Sequence, residues 1–440
     1  SRASRLLAVS IPLATLACGL AMAEPAADPS TPIPITPQFL TRLVEEARTN
    51  HPGLRAAAAR VVASERAAAA VRTWDDPMFR WGGSVTSESG QDLEMMGDLY
   101  YEAEQKLPLF GKAQAMRREA EAATSVADAE KDFRFQILRR SIAQAAGQLA
   151  LADEAVAIGS DDLAQLDRMT TFARERQRAG LDATLDLLRI ENERDKRNQQ
   201  LVTDRQQREL AAAGLNRLLA RPKDSPWPAL ELPPPAPEFP LSEQLLDMGT
   251  RYEPRLQVMR REIAMAEAGV DVARRARLPD VTLGIEGRQW SGSGDFREGM
   301  FTVGLNLPRF NRGKYRADID RSRARLDALR ADTEDYTFDV RQELVRVWTK
   351  IDAARREALL YGESILPRSE LAVSNALAAW TAGRGMFLDV LEARRMRIEA
   401  RLMRARAVNE QHQMIIELIT CCGIGELDSL DMLVQPTPRS

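Results

Sequence analysis

Histidine and cysteine are scarce: two histidines, His51 and His412, and three cysteines in 440 residues. So thin a supply leaves no dense metal site and no nucleophile paired with a base. A surplus of charge is missing too. With 61 basic against 64 acidic residues the net charge is −3, which gives no electrostatic case for nucleic acid. No nucleotide-binding loop and no zinc-spaced helix occurs, so neither cofactor nor catalysis is expected. Beyond the N-terminus, no uncharged run approaches the length of a transmembrane helix. Proline is absent between Leu109 and Arg221, which permits very long helices there. His51 precedes Pro52 and suits a helix cap. Cys421 and Cys422 are adjacent, badly placed for an unstrained disulfide, and read as small residues packed late in a helix.

What is present begins at the N-terminus. Arg2 and Arg5 precede an uncharged run, Leu6 to Ala23, that ends in Ala-Met-Ala before Glu24. A basic start, an apolar middle and a small-residue end read as a secretory signal over residues 1–23. An uncleaved anchor fits Pro12 and that ending less well. Cys18 follows Thr15-Leu16-Ala17, a poor match to a lipoprotein cleavage site, so lipid attachment there is a minor alternative.

The rest is one unit written twice. Asn50-His51-Pro52 matches Tyr252-Glu253-Pro254, Pro77 matches Pro279, LPLFGK matches LPRFNRGK, and RAGLDATLDLL at Arg178 matches TAGRGMFLDVL at Thr381. The copies span 24–221 and 241–427. A connector, 222–240, carries eight prolines and is stiff and extended. A short tail, 428–440, follows. Each copy begins with a helix, Pro52–Trp74 or Pro254–Arg277. Two strands come next. A long helix then runs from Ala113 to Arg178, or from Tyr315 to Ala379, and a return helix from Leu181 to Ala220, or from Met386 to Cys422. At 1.5 Å per residue the long helix spans about 100 Å and the return helix about 60 Å, leaving room for the leading helix stacked end to end with it. Pro367 predicts a kink in the second long helix.

The strands alternate. One face carries Phe79, Trp81 and Val85, then Leu99 and Tyr101, then Val281, Leu283 and Ile285, then Phe301, Val303 and Leu305. The other carries Arg80, Glu102, Glu104, Lys106, Glu286 and Arg288. Apolar-out, polar-in strands of this length fit an outer-membrane barrel. A half-buried sheet on a soluble core is the competing reading. The polar helices offer no such core, and aromatic residues concentrate around the strands as an interfacial belt would. Four strands cannot close a barrel, since the smallest need about eight. A membrane tolerates no open edge, so the chain is expected to oligomerise.

Duplicated helix–hairpin–long-helix units, the corners LPLFGK and LPRFNRGK, and the openings AGLDATLDLL and AGRGMFLDVL together resemble the TolC-like outer-membrane efflux proteins. The resemblance covers about Thr36 to Leu427. It implies a mainly α fold with a small β part: a homotrimer in outer-membrane lipid, with a twelve-stranded barrel and a long periplasmic helical tunnel. It also implies a passive duct, served by a periplasmic adaptor and an inner-membrane pump of the RND type. Asp389 and Glu392 match acidic positions that line the family's periplasmic constriction, and Asp186 is the first-copy equivalent of Asp389. The alternative is ordinary carboxylates paired with Arg394, Arg395 or Arg189. Trp380 stands at an aromatic gate position. Gly385 occupies the position of the family's gate arginine, with Arg384 adjacent, so the gate hydrogen bond is not carried over. The tips Ala179-Gly180-Leu181 and Ala382-Gly383-Arg384 match the adaptor-contact turns. Met95-Met96 and the cast of the corner look more like the heavy-metal branch than the drug branch. An exit duct for polypeptides, and a secreted coiled-coil spacer outside any membrane, are the other readings.

Overall fold

A computed structural model describes residues 32–71, 74–83, 98–179, 184–290 and 293–423. The signal, Cys18, Val85, Met95, Met96, Gly180, Leu181 and the tail 428–440 lie outside the described residues. In chain order the elements are β1 (Ile33–Pro34), α1 (Pro37–Asn50), α2 (Pro52–Ala70), β2 (Met78–Gly83), β3 (Asp98–Leu107), α3 (Lys112–Arg178) and α4 (Thr184–Leu218). Then come β4 (Leu230–Glu231), α5 (Glu243–Tyr252), α6 (Pro254–Ala276), β5 (Asp280–Trp290) and β6 (Phe296–Asn306). A 3₁₀ turn (Pro308–Asn311) leads into α7 (Arg312–Leu359), and a π-helical turn (Leu360–Ile365) joins α7 to α8 (Leu366–Thr381). The last helix is α9 (Phe387–Cys421).

Helices α1 and α5 add to the sequence reading, which placed the first helix of each copy at Pro52 and Pro254. Both prolines do begin helices, α2 and α6, but another helix precedes each, with non-helical backbone at His51 and Glu253 between the two. His51 Nδ1 accepts the Gly53 N–H at 3.1 Å, and Glu253 Oε2 accepts the Leu256 N–H at 2.6 Å. Each side chain supplies the acceptor that a new helix start lacks. His51 is therefore a cap, as its place before proline implies.

The core lies midway along the rod. Phe39, Leu40, Leu43, Val44 and Ala47 of α1 pack on Leu138–Ala150 of α3, Val340–Ile351 of α7 and Ile415–Ile419 of α9. Alanines and Gly147 on α3 permit this close approach. The proline-rich stretch is extended but clamped. β4 pairs in parallel with β1. The Trp227 indole donates to Asn216 Oδ1 at 2.7 Å. Gln411 exchanges two hydrogen bonds with the Ala236 backbone, at 3.0 and 3.1 Å.

α3 is unbroken over 67 residues. Its first half meets α2 and α6, through Ser64–Thr124 and Arg118–Asp271. Its second half meets α4 and α9, through Arg194–Asp167 and Arg394–Asp162. The stacking of a short and a return helix along a long one is thus realised. In the second copy the π turn comes immediately before Pro367. Proline has no N–H for the preceding turn, and a wider turn accommodates that loss.

The sheet is antiparallel in the order β2-β3-β5-β6. Trp81 faces Tyr101, Tyr101 faces Gly287, Ala103 faces Ile285, and Ile285 faces Phe301. Paired residues share a face, so the apolar set forms one continuous surface. Trp81 is 74% exposed, Phe79 70% and Phe301 66% in the single chain. So large an apolar patch must be covered by something. The opposite face is laced with ions: Arg80 to Glu102 and Glu104, each at 3.0 Å, and Arg288 to Glu286 at 2.7 Å.

The two strand-to-helix corners differ although their sequences match. In KLPLFGK, Phe110 and Gly111 both take positive φ, 63° and 72°. Arg275 donates to the Phe110 carbonyl at 2.9 Å. Lys112 pairs with Asp280 at 2.7 Å, and Lys106 approaches the same carboxylate at 3.7 Å. The second corner makes its turn through 3₁₀ geometry instead, and Gly313 already lies inside α7. Glycine therefore frees the first corner, at Gly111, whereas the matching Gly313 is helical.

Candidate functional site at the helical tips

At the far end of the rod both hairpins turn. α3 closes on Ala179, whose N–H reaches the Glu175 carbonyl at 3.0 Å. α8 closes on Ala382, and Gly383 follows at φ 71°. The Gly383 and Arg384 N–H groups return to the carbonyls of Trp380 and Ala379, at 3.0 and 2.9 Å. Only glycine takes this left-handed step without strain. Ala382, Gly383 and Arg384 are all exposed.

Trp380 holds the two tips together. It is 2% exposed, with Phe172 and Phe387 rings each 5.3 Å away. Leu166, Met169, Leu187, Ile190 and Val390 complete this cluster. An enclosed indole needs a partner for its N–H. Trp380 Nε1 donates to Asp186 Oδ2 at 3.1 Å, and Arg176 of α3 donates to the Trp380 carbonyl at 3.2 Å. A hydrogen bond thus joins the hairpins at Trp380, although Gly385 stands where the resemblance implied an arginine.

This separates the three expected carboxylates. Asp186 is half-buried, bonded to Trp380 and 4.0 Å from Arg189. Asp389 and Glu392 sit together on the exposed face of α9 and make no ion pair among the described residues. Of the alternative partners, Arg394 pairs with Asp162 at 2.6 Å and Arg395 with Glu193 at 3.1 Å, while Arg189 does approach Asp186, at 4.0 Å.

Above the tips lies a buried ion cluster that sequence reasoning missed. Asp162 of α3 is 1% exposed. It accepts two hydrogen bonds from Arg394 of α9, at 2.6 and 3.1 Å, and lies 3.6 Å from Arg197 of α4. A Cβ on Gly159 would collide with the Arg197 guanidinium, so that glycine makes room for the charge. The signal was an aspartate at an apolar phase, four residues from both Ile158 and Leu166. Burial lowers the pKa of Arg397, which reaches Gln165 at 2.7 Å. Burial also pushes the Cys421 and Cys422 thiols up to about 12, and both are free.

A hairpin-built rod with an exposed apolar sheet at one end defines an outer-membrane channel. The chain belongs to the outer membrane efflux protein family, whose model matches residues 43–221 and 250–423. It is 24% identical over 421 residues to the pyoverdine export outer membrane protein OpmQ of Pseudomonas putida, covering 88% of this chain and 86% of that one. It is 25% identical over 181 residues to the cobalt-zinc-cadmium resistance protein CzcC of Cupriavidus metallidurans, covering 41% of each. Among solved structures it is similar to CusC, with a TM-score of 0.76 at 18% identity over 88% of this chain and 92% of that one. The protein is an outer-membrane efflux channel. Its apolar sheet is the membrane part and its helical rod the periplasmic tunnel, which overturns the reading as a spacer outside any membrane.

Proposed function

We propose that the chain is the passive exit duct of a tripartite export assembly, with a carboxylate constriction at its tips that favours cations. The observation that carries the constriction is the pair Asp389 and Glu392, exposed, three residues apart and free of ion pairs among the described residues. Carboxylates three apart share a helix face, and repeated around a symmetric pore they form a ring that selects cations. Asp186 lies behind this ring, where its bond to Trp380 ties one hairpin to the other. The open edges of β2 and β6 support a homotrimer, because a bilayer leaves no unpaired strand edge. The tips 179–181 and 382–384 are the surface on which an adaptor would dock, below an RND-type inner-membrane pump.

Heavy-metal cations are the cargo we favour, supported by the acidic tip and by the likeness to CzcC over part of the chain. Export of a pyoverdine-type molecule is the second reading, supported by the match to OpmQ along most of the chain. Replacing Asp389 and Glu392 with alanine is expected to reduce cation preference in single-channel recordings. Unchanged selectivity would reject the ring. A deletion strain sensitised to cobalt, zinc, copper or silver favours metal cargo. One sensitised only to dyes and detergents excludes it.

A further inference from the structure

We propose that the second strand-to-helix corner is an anchor for anionic phospholipid headgroups, with Phe310 seated in the bilayer interface and Arg312 and Lys314 on the lipid phosphates. The proposal rests on the membrane placement of the sheet and adds a specific binding surface to it. Three observations converge. First, the apolar face does not stop with the strand: Leu305 and Leu307 are exposed, and Phe310 beyond them is 88% exposed. Phe310 sits in the 3₁₀ turn that directly follows edge strand β6, and these exposures are those of the single chain. Aromatic rings prefer the headgroup level of a bilayer.

Second, Arg312 and Lys314 stand in the first turn of α7, which contains no acidic residue. The N-terminus of a helix carries partial positive charge, so cations there are unfavourable unless an anion approaches. Third, the two corners treat their cations differently. In the first, Lys112 is neutralised by Asp280 at 2.7 Å. In the second, Arg312 has no ion pair among the described residues, and Lys314 lies 5.6 Å over the Tyr315 ring. A phosphodiester at the membrane surface is the anion that completes this corner. A basic side chain held near an anionic lipid surface gains roughly fivefold in affinity per charge.

The test uses the full chain, as its trimer, in phosphatidylethanolamine vesicles with and without phosphatidylglycerol. Nitroxide labels go on Phe310→Cys and, as a control, on Val303→Cys, with half-buried Cys421 replaced by serine and native Cys422 buried. Both labels should collide more with lipid-soluble oxygen than with an aqueous nickel complex, with the label at 310 shallower. A lipid signal at 303 with an aqueous signal at 310 overturns the anchor alone. An aqueous signal at both overturns the membrane placement of the sheet as well. In parallel, phosphatidylglycerol should raise the thermal stability of the wild-type trimer. Arg312→Gln combined with Lys314→Gln should lose that gain, with affinity for the lipid falling roughly fivefold per charge. An undiminished gain in the double variant would overturn the phosphate contact.

Discussion

Asp162 ties α3, α4 and α9 through two arginines, and it lies where an apolar side chain would otherwise fit. A buried charge left without its partner costs about 3–5 kcal/mol, so this cluster fixes how the two hairpins sit together. His412 is a second residue with a consequence. Its Nε2 is enclosed without a partner, and burial lowers its pKa from 6.5 to about 4. The unfolded chain therefore takes up this proton at a higher pH than the folded one does. Stability is undiminished above pH 6.5 and falls as the pH drops toward 4. The loss between pH 6.5 and 5 is on the order of 1–2 kcal/mol. Melting the purified protein across that range should show the decline, and His412→Gln should flatten it. An equal decline in the variant would remove His412 as its source. The sequence showed His412 only as a lone histidine, because its state depends on which helices close over it.

Among the elements, the corners carry the sharpest contrast. Gly111 sits at φ 72° against the Arg275 guanidinium, whereas Gly313 is helical with open space around the position of a Cβ. Gly111→Ala should destabilise the protein by about 1 kcal/mol or more through left-handed strain. Gly313→Ala should stabilise it by about 1 kcal/mol through helix propensity. Denaturant midpoints of the two variants should move in opposite directions, and a shared direction would refute the difference in geometry. The matched motifs LPLFGK and LPRFNRGK marked where each corner falls but not how each is made. The choice was made by contacts distant in sequence, Arg275 to Phe110 and Lys112 to Asp280. Helices α1 and α5 were legible in principle, since Thr36 and Ser242 are good caps. They were obscured because Pro52 and Pro254, which do begin α2 and α6, read as the first helical residues of each copy.

For the whole molecule, the sheet and the rod face different solvents. Val303 lies on the apolar face and is 56% exposed in the single chain, while Thr302 lies on the ionic one. Val303→Arg should cost about 2–4 kcal/mol near the bilayer midplane and lower the yield of folded protein in outer-membrane fractions. Thr302→Arg, one residue away, should be tolerated. Equal tolerance would contradict the assignment of faces. Period-two alternation, the repeated landmarks and the long proline-free helix were determined by the sequence alone, because each is a local pattern set by backbone geometry. Those patterns sufficed for a duplicated rod with a membrane end. Which carboxylates stay free was decided only in three dimensions. Asp186 and Asp389 look equivalent along the chain, yet one meets the Trp380 indole and the other meets no partner among the described residues. Pairing of charges depends on side chains brought together from both copies, and no single segment contains that information.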